Sequence, residues 1–116
     1  MTWDEVVELA CRLPGVEVST SYGTPALKVR RKFMARLRQE DPEPDVMVLG
    51  AVDDIEQRML MDTRPSVYFK RPHYKGHPSI LIRLPNAEPG EVGALLEQSW
   101  RRLAPPRLLA LLGGGA

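Results

Sequence analysis

Cysteine and histidine are scarce in this chain, and their scarcity excludes several kinds of site. The single cysteine, Cys11, excludes an internal disulfide and any metal site that needs several cysteines; it fits a reducing compartment, and we expect a buried, inert thiol. The two histidines, His73 and His77, are four residues apart, but the prolines and glycine around them exclude the helix on which that spacing would suit one zinc ion. We therefore predict neither a metal nor a cofactor.

A long apolar run and an excess of one charge are also missing. No run approaches the roughly 20 residues of a membrane-spanning helix, and the first residues lack the features of a signal peptide, so we expect a cytoplasmic protein without membrane contact. The 16 lysines and arginines nearly balance 15 acidic residues, so any electrostatic function depends on how the charges are distributed. With 116 residues, 43% of them apolar, we expect residues 1 to 116 to form one domain.

Capping signals and hydrophobic spacing predict three helices. Thr2 and Glu5 have the spacing of a capping box, and the helix that they begin ends at Pro14. Asp53 caps a short second helix. A long third helix begins within residues 86 to 89, and a pair of prolines ends it.

Two-residue alternation predicts strands between these helices. The predicted strands cover residues 16 to 19, a hairpin over 26 to 37 that turns at 30 to 32, and residues 46 to 51, 67 to 69 and 79 to 84. This order of elements predicts an α+β fold, with an antiparallel sheet that has helices packed on one face and solvent on the other. The leucine-rich tail, residues 106 to 116, packs on this body, contacts a second subunit or frays; the sequence decides neither this nor whether the protein is a monomer or a homodimer.

Alternation within the hairpin predicts that its basic residues share the solvent face of the sheet. The residues expected on the core face are Leu27, Val29, Phe33, Ala35 and Leu37. Those expected on the opposite face are Lys28, Arg30, Lys32, Arg36 and Arg38. The hairpin would then present a core side and a basic side.

The cations are concentrated in two windows that contain no acid. Residues 25 to 38 hold six basic residues and residues 63 to 87 hold five, whereas residues 40 to 62 hold eight acids and one arginine. If the two basic windows are neighbouring hairpins, their side chains form one face able to contact several phosphates. The alternative is a solvated surface whose charge the acidic segment balances.

The second basic window contains the loop from Lys70 to His77, which combines cations with rings. Its cations suit phosphates, and His73 or Tyr74 could stack on an exposed base. The residues predicted to bind nucleic acid are Lys28, Arg30, Lys32, Arg36, Arg38, Lys70, Arg71, His73, Tyr74 and Lys75.

A set of short motifs follows in order along nearly the whole chain: Pro14-Gly15-Val16-Glu17, residues 21 to 26, the hairpin over 28 to 37, Pro72-His73-Tyr74, Gly76, Pro78, Ser99-Trp100 and Ala104-Pro105. In this order and at these spacings the set resembles the MmcQ/YjbR family. The resemblance implies an α+β fold of frataxin-like architecture and a DNA-binding role, the latter by analogy with double-wing proteins. The chain departs from the family at Arg31, where a turn glycine is common, and at Lys75 and His77, which make the loop more basic.

Two functional hypotheses from different classes follow. The first is a small non-enzymatic module that binds DNA through the basic sheet face and the Lys70 to His77 loop. The second is a protein-interaction or small-ligand domain in which the basic patch is incidental. A hidden enzyme would need a closed pocket near His73 with a strongly shifted titrating group.

Overall fold

The computed structural model describes residues 1 to 40 and 43 to 111, except for the side chain of His73, and it confirms the α+β class. The helices are α1 (Trp3–Ala10), α2 (Asp54–Thr63), α3 (Pro89–Leu103) and α4 (Pro106–Leu109). The strands are β1 (Val16–Ser21), β2 (Thr24–Val29), β3 (Lys32–Glu40), β4 (Glu43–Gly50), β5 (Tyr68–Phe69) and β6 (Ser79–Arg83). Short 3-10 turns at Pro72–Tyr74 and Leu84–Asn86 flank β6.

The six strands form one antiparallel sheet in the order β1-β2-β3-β4-β6-β5. Tight hairpins connect the first three strands, with Ser21 opposite Thr24 and Val29 opposite Lys32. Strands β4 and β5 both pair with β6, and α2 links them across the sheet. Local turn signals therefore determine the pairing of β1, β2 and β3. The pairing of β4 and β5 with β6 instead depends on a helical connection.

The helices begin where side chains satisfy their free backbone N–H groups. Thr2 and Glu5 form the predicted capping box of α1, and Asp53 accepts from the backbone N–H of Glu56 at the start of α2. At α3 the carboxylate of Glu88 accepts from two backbone N–H groups. These caps confirm the three helix starts predicted from the sequence.

The main core lies between the sheet and the helices. Trp100 of α3 is fully buried, and its indole N–H donates to the Pro14 carbonyl at 2.8 Å. The hydroxyl of Ser99, also on α3, donates to the carbonyl of Gly50 at the end of β4, again at 2.8 Å. Helix α3 is thus fixed both to the connection after α1 and to the centre of the sheet.

The leucine-rich tail packs on this core at its beginning. Leu108 of α4 is buried against Gly15, while Leu111 is 68% exposed. Leu108 thus lies against the core, Leu109 is partly buried beside it, and residues 112 to 116 lie outside the described part of the chain. Cys11 is exposed, contrary to the prediction, because it caps the C-terminus of α1 beyond the buried Val6 and Ala10.

A bulge in β3 changes which side chains share a face. Leu27 pairs with Ala35, but Lys28 pairs with Phe33, so Met34 is an extra residue on β3. Phe33 consequently lies on the face away from the helices, where it was not expected. Lys32 lies on the helical side instead of the predicted basic face, and its ammonium donates to the carbonyl of Leu103 at 3.4 Å.

Arg30 is also absent from the predicted basic face. It occupies the turn between β2 and β3, with φ of 50°, and is exposed. Together with Pro105, Pro106 and Arg107 it lines an open cavity of about 460 Å³ beside α4. The alternation that placed it on the opposite face ends at residue 29, because a turn residue has no fixed side of the sheet.

Candidate nucleic-acid interface

The sheet face opposite the helices carries guanidinium groups interleaved with aromatic rings. We call this surface the arginine face. Its members are Tyr22, Lys28, Arg36, Arg38, Phe69, Arg71, Tyr74 and Arg83. Four of the ten residues predicted to bind nucleic acid (Lys28, Arg36, Arg38 and Arg71) are cations of this surface, and Tyr74 joins them.

One cross-strand row connects the two ends of the arginine face. In register across the sheet the row contains Ser19, Ala26, Arg36, Val48, Leu81 and Phe69. The next row includes Arg38, Val46 and Arg83. Cations from β3 and β6, far apart in sequence, are therefore brought to the same side of the sheet.

The middle of the arginine face is apolar and covered. Val46, Val48 and Leu81 are almost fully buried, and Phe33, Phe69 and Tyr74 pack around them. Tyr74 belongs to the loop between β5 and β6, which folds over the sheet. The expectation of an uncovered solvent face is therefore wrong at its centre, because the loop supplies a second, smaller hydrophobic cluster.

Arg36 is held between two tyrosines. Its guanidinium lies 5.7 Å from the ring centroid of Tyr22, and its Nη2 donates to the hydroxyl of Tyr74 at 2.8 Å. A cation over an aromatic ring is attracted by the negative charge of the ring face. Both contacts orient the guanidinium, and its other N–H groups remain able to donate to an anion.

Phe69 is the second aromatic centre of the face. The guanidinium of Arg83 lies 3.9 Å from its ring centroid, and that of Arg71 lies 5.2 Å away. Arg83 also pairs with Glu43 at 3.1 Å. Arg71 and Arg83 therefore stack on the same ring, and Arg83 also has a carboxylate partner, Glu43.

Hydrogen bonds brace the loop that covers the face. The ammonium of Lys70 donates to the side-chain oxygen of Gln57 at 2.6 Å and to the carbonyl of His77 at 2.7 Å. Gln57 is buried on α2 and donates in turn to the carbonyl of Val52. Tyr74 and His77 meet edge to face, with ring centroids 6.2 Å apart. Lys70, which the sequence predicts to contact phosphate, thus lies inside the loop, and its hydrogen bonds fix the shape of the loop.

Carboxylates concentrate at one end of the arginine face. Arg38 pairs with Glu40 at 2.8 Å, and Arg83 pairs with Glu43 near the β3 to β4 turn. Lys28 lies opposite Glu17 in the strand register. Lys75 is exposed in the covering loop, and the predicted side-chain role of His73 lies outside the described residues. The cations thus differ in how much of their charge neighbouring acids offset.

Among the side chains that the structure describes, two have displaced pKa values, and both belong to the helical side of the molecule. Burial, followed by a hydrogen bond to Glu91, raises the pKa of Tyr68 above its usual range. Hydrogen bonds from the backbone N–H groups of Gly90 and then Glu91 lower the pKa of Glu88. Both groups make hydrogen bonds at the start of α3, so their pKa shifts have a structural cause.

The described residues, 1 to 40 and 43 to 111, bear on metal binding and on membrane crossing. Within those ranges, histidine, cysteine and carboxylate side chains form no group of three or more that could hold a metal ion. No helix there has both the length and the apolar composition needed to cross a bilayer.

Sequence reasoning missed Tyr22, Phe69 and Arg83 as members of the site. Tyr22 precedes Gly23 between two alternating segments, which indicated a turn but not that the ring would lie beside Arg36. Phe69 and Arg83 were assigned only to strands. A periodicity argument that included their outward positions in β5 and β6 would have found both.

Comparisons with known proteins agree with the motif set. The uncharacterized protein Rv2570 of Mycobacterium tuberculosis is 27% identical over 119 residues, which cover 93% of this chain and 92% of that protein. The uncharacterized protein Mb2600 of Mycobacterium bovis matches with the same identity and coverage. The YjbR family model matches residues 11 to 102. This match extends over most of the chain, and the protein therefore belongs to the YjbR family.

Proposed function

We propose that this protein is a non-enzymatic DNA-binding module whose contact surface is the arginine face. The observation that carries the proposal is the placement of Arg36 between Tyr22 and Tyr74 on the same side of the sheet as Arg71 and Lys28. Stacked guanidinium groups retain N–H donors in their own plane, and phosphate oxygens accept from such donors.

The loop bracing supports a binding role because it reduces the cost of ordering the surface. Lys70, Gln57 and His77 fix the loop, and Tyr74 then fixes Arg36. A cation that is already oriented loses less side-chain entropy when it meets a phosphate. The exposed ammonium of Lys75, in the same loop, adds a further phosphate contact to the proposed surface.

The expected salt dependence follows from the number of cations. If Lys28, Arg36, Arg71 and Lys75 each meet one phosphate, the logarithm of the affinity falls with the logarithm of salt concentration with a slope of about −3.6. Raising salt from about 50 to about 200 mM then weakens binding roughly a hundredfold. Removing one such cation lowers the magnitude of the slope by about 0.9.

Fluorescence anisotropy with labelled DNA at both salt concentrations tests the proposal. Arg36→Gln and Arg71→Gln should each weaken binding and flatten the salt dependence. Arg12→Gln is the matched control, because Arg12 is an exposed cation of the helical side that pairs with Glu8. Absence of binding at low salt, or equal losses in the control and the two test variants, would refute the proposed surface.

A further inference from the structure

We infer that the arginine face takes single-stranded nucleic acid in preference to a duplex, with Tyr22 as the platform for an unpaired base. This inference rests on the proposed function and adds the class of ligand. It is carried by the position of Tyr22, which is 92% exposed although it is a large aromatic residue.

The backbone holds the Tyr22 ring out at the tip of the first hairpin. Tyr22 and Gly23 form a two-residue turn with φ of 53° and 75°, and the Thr24 hydroxyl donates to the Ser21 carbonyl at 2.8 Å. A left-handed conformation is unfavourable for a residue with a bulky side chain. The Tyr22 side chain therefore contributes little to the stability of the fold. This favours a role for its ring in contacting a ligand.

Arg36 occupies one side of this ring and leaves the other side to solvent. Its guanidinium carbon lies over the ring, 5.7 Å from the centroid. A base stacked on the free side would sit beside a cation able to meet its neighbouring phosphate. Base stacking on an aromatic side chain together with a contact from arginine is the usual mode of sequence-tolerant single-strand binding.

Duplex DNA fits this arrangement less well. The faces of its bases are covered by their neighbours in the stack, so Tyr22 could reach one only after a base is extruded, which costs the energy of unstacking and unpairing that base. The rest of the face consists of sheet side chains and a braced loop, with Tyr74 half-buried and hydrogen-bonded to Arg36. A duplex would therefore use the cations alone, whereas a single strand would use the cations and the ring.

The test compares labelled oligothymidylate of about 12 nucleotides, within the known range of single-strand site sizes, with a duplex of equal length. We expect tighter binding of the single strand. Tyr22→Ala should weaken that binding by about 5- to 150-fold, the range measured for one stacked base, and should weaken duplex binding less, because a duplex loses only the orientation of Arg36 and not a stacked base. Tyr22→Phe should retain the affinity, because stacking needs the ring and not the hydroxyl.

A second variant reports contact between a base and the ring at position 22 directly, instead of through the affinity. Tyr22→Trp places an exposed indole at the turn, and its fluorescence should be quenched by oligothymidylate and not by the duplex. Equal binding of both ligands without an effect of Tyr22→Ala would overturn the single-strand inference and leave the DNA-binding proposal standing. Failure of both ligands to bind at low salt would overturn both. A loss in Tyr22→Phe equal to that in Tyr22→Ala would refute stacking as the reason for the preference.

Discussion

The turn between β2 and β3 should become more stable when Arg31 is replaced by glycine. Val29 pairs with Lys32, so two residues make the turn, and both Arg30 and Arg31 have positive φ, of 50° and 71°. Positive φ at both central residues is what the type I′ turn requires, a turn that matches the twist of a hairpin and favours asparagine and glycine. Two arginines therefore adopt a conformation that disfavours any side chain with a Cβ atom.

The magnitude follows from two opposing terms. A left-handed conformation costs a non-glycine residue roughly 1–2 kcal/mol, which Arg31→Gly removes. Glycine gives the unfolded chain more freedom, which offsets about 0.5–1 kcal/mol of that gain. We expect a net increase in the free energy of unfolding of about 0.5–1 kcal/mol, equivalent to about 2–4 °C in the melting temperature.

Urea denaturation followed by tryptophan fluorescence measures this change, because Trp100 is fully buried and its emission shifts on unfolding. Arg58→Gly is the matched control, since Arg58 lies within α2 and glycine there should lower stability by about 1 kcal/mol. Opposite signs for the two arginine-to-glycine variants would support the turn geometry. A loss of stability in Arg31→Gly would refute it.

Two other predictions concern the helical side. Gly15→Ala should lower the free energy of unfolding by at least about 1 kcal/mol, since φ is +76° and an added Cβ would lie 2.5 Å from Leu108 Cδ1; an unchanged urea midpoint would contradict this. Glu88→Gln should destabilise the protein at neutral pH, because a lowered pKa means stability that is present above the unfolded pKa of about 4.3 and lost as the pH falls through the folded value. Denaturation midpoints from pH 7 down to about pH 3 should therefore converge for the two proteins, and parallel profiles would contradict the capping role.

Much of the fold could be predicted because its signals are local. Thr2 with Glu5, and Asp53 with its following helix, satisfy backbone groups within one turn, so a few residues determine each helix start. Alternation similarly located the strands, and the segment order indicated the α+β class. Strand β3 extends to Glu40 and β4 begins at Glu43, beyond the ends predicted at residues 37 and 46.

The site was harder to predict because its composition depends on non-local packing. One extra residue, Met34, reverses the faces of Phe33 and Lys32, and nothing in a two-residue period announces a bulge. Beyond the bulge, the two-residue alternation again predicts the correct face of the sheet, as at Arg36. The contact between Arg36 and Tyr74 needs the β5 to β6 loop to fold over β4, which the sequence pattern did not indicate.

The covered centre of the arginine face changes what the cations can do. On a bare sheet, long cationic side chains would move freely and would each lose rotamer entropy on meeting a phosphate. Here Tyr74 packs on the apolar cluster and binds Arg36, so the hydrophobic contact that closes the loop also restricts the guanidinium. Stability and binding are consequently linked through one side chain: the hydroxyl of Tyr74 can be removed without loss of its packing, whereas removal of the ring opens the cluster. If binding depended on charge alone, removing the Tyr74 hydroxyl and removing the whole ring would affect it equally. If Tyr74 orders the surface, the two changes must affect binding differently.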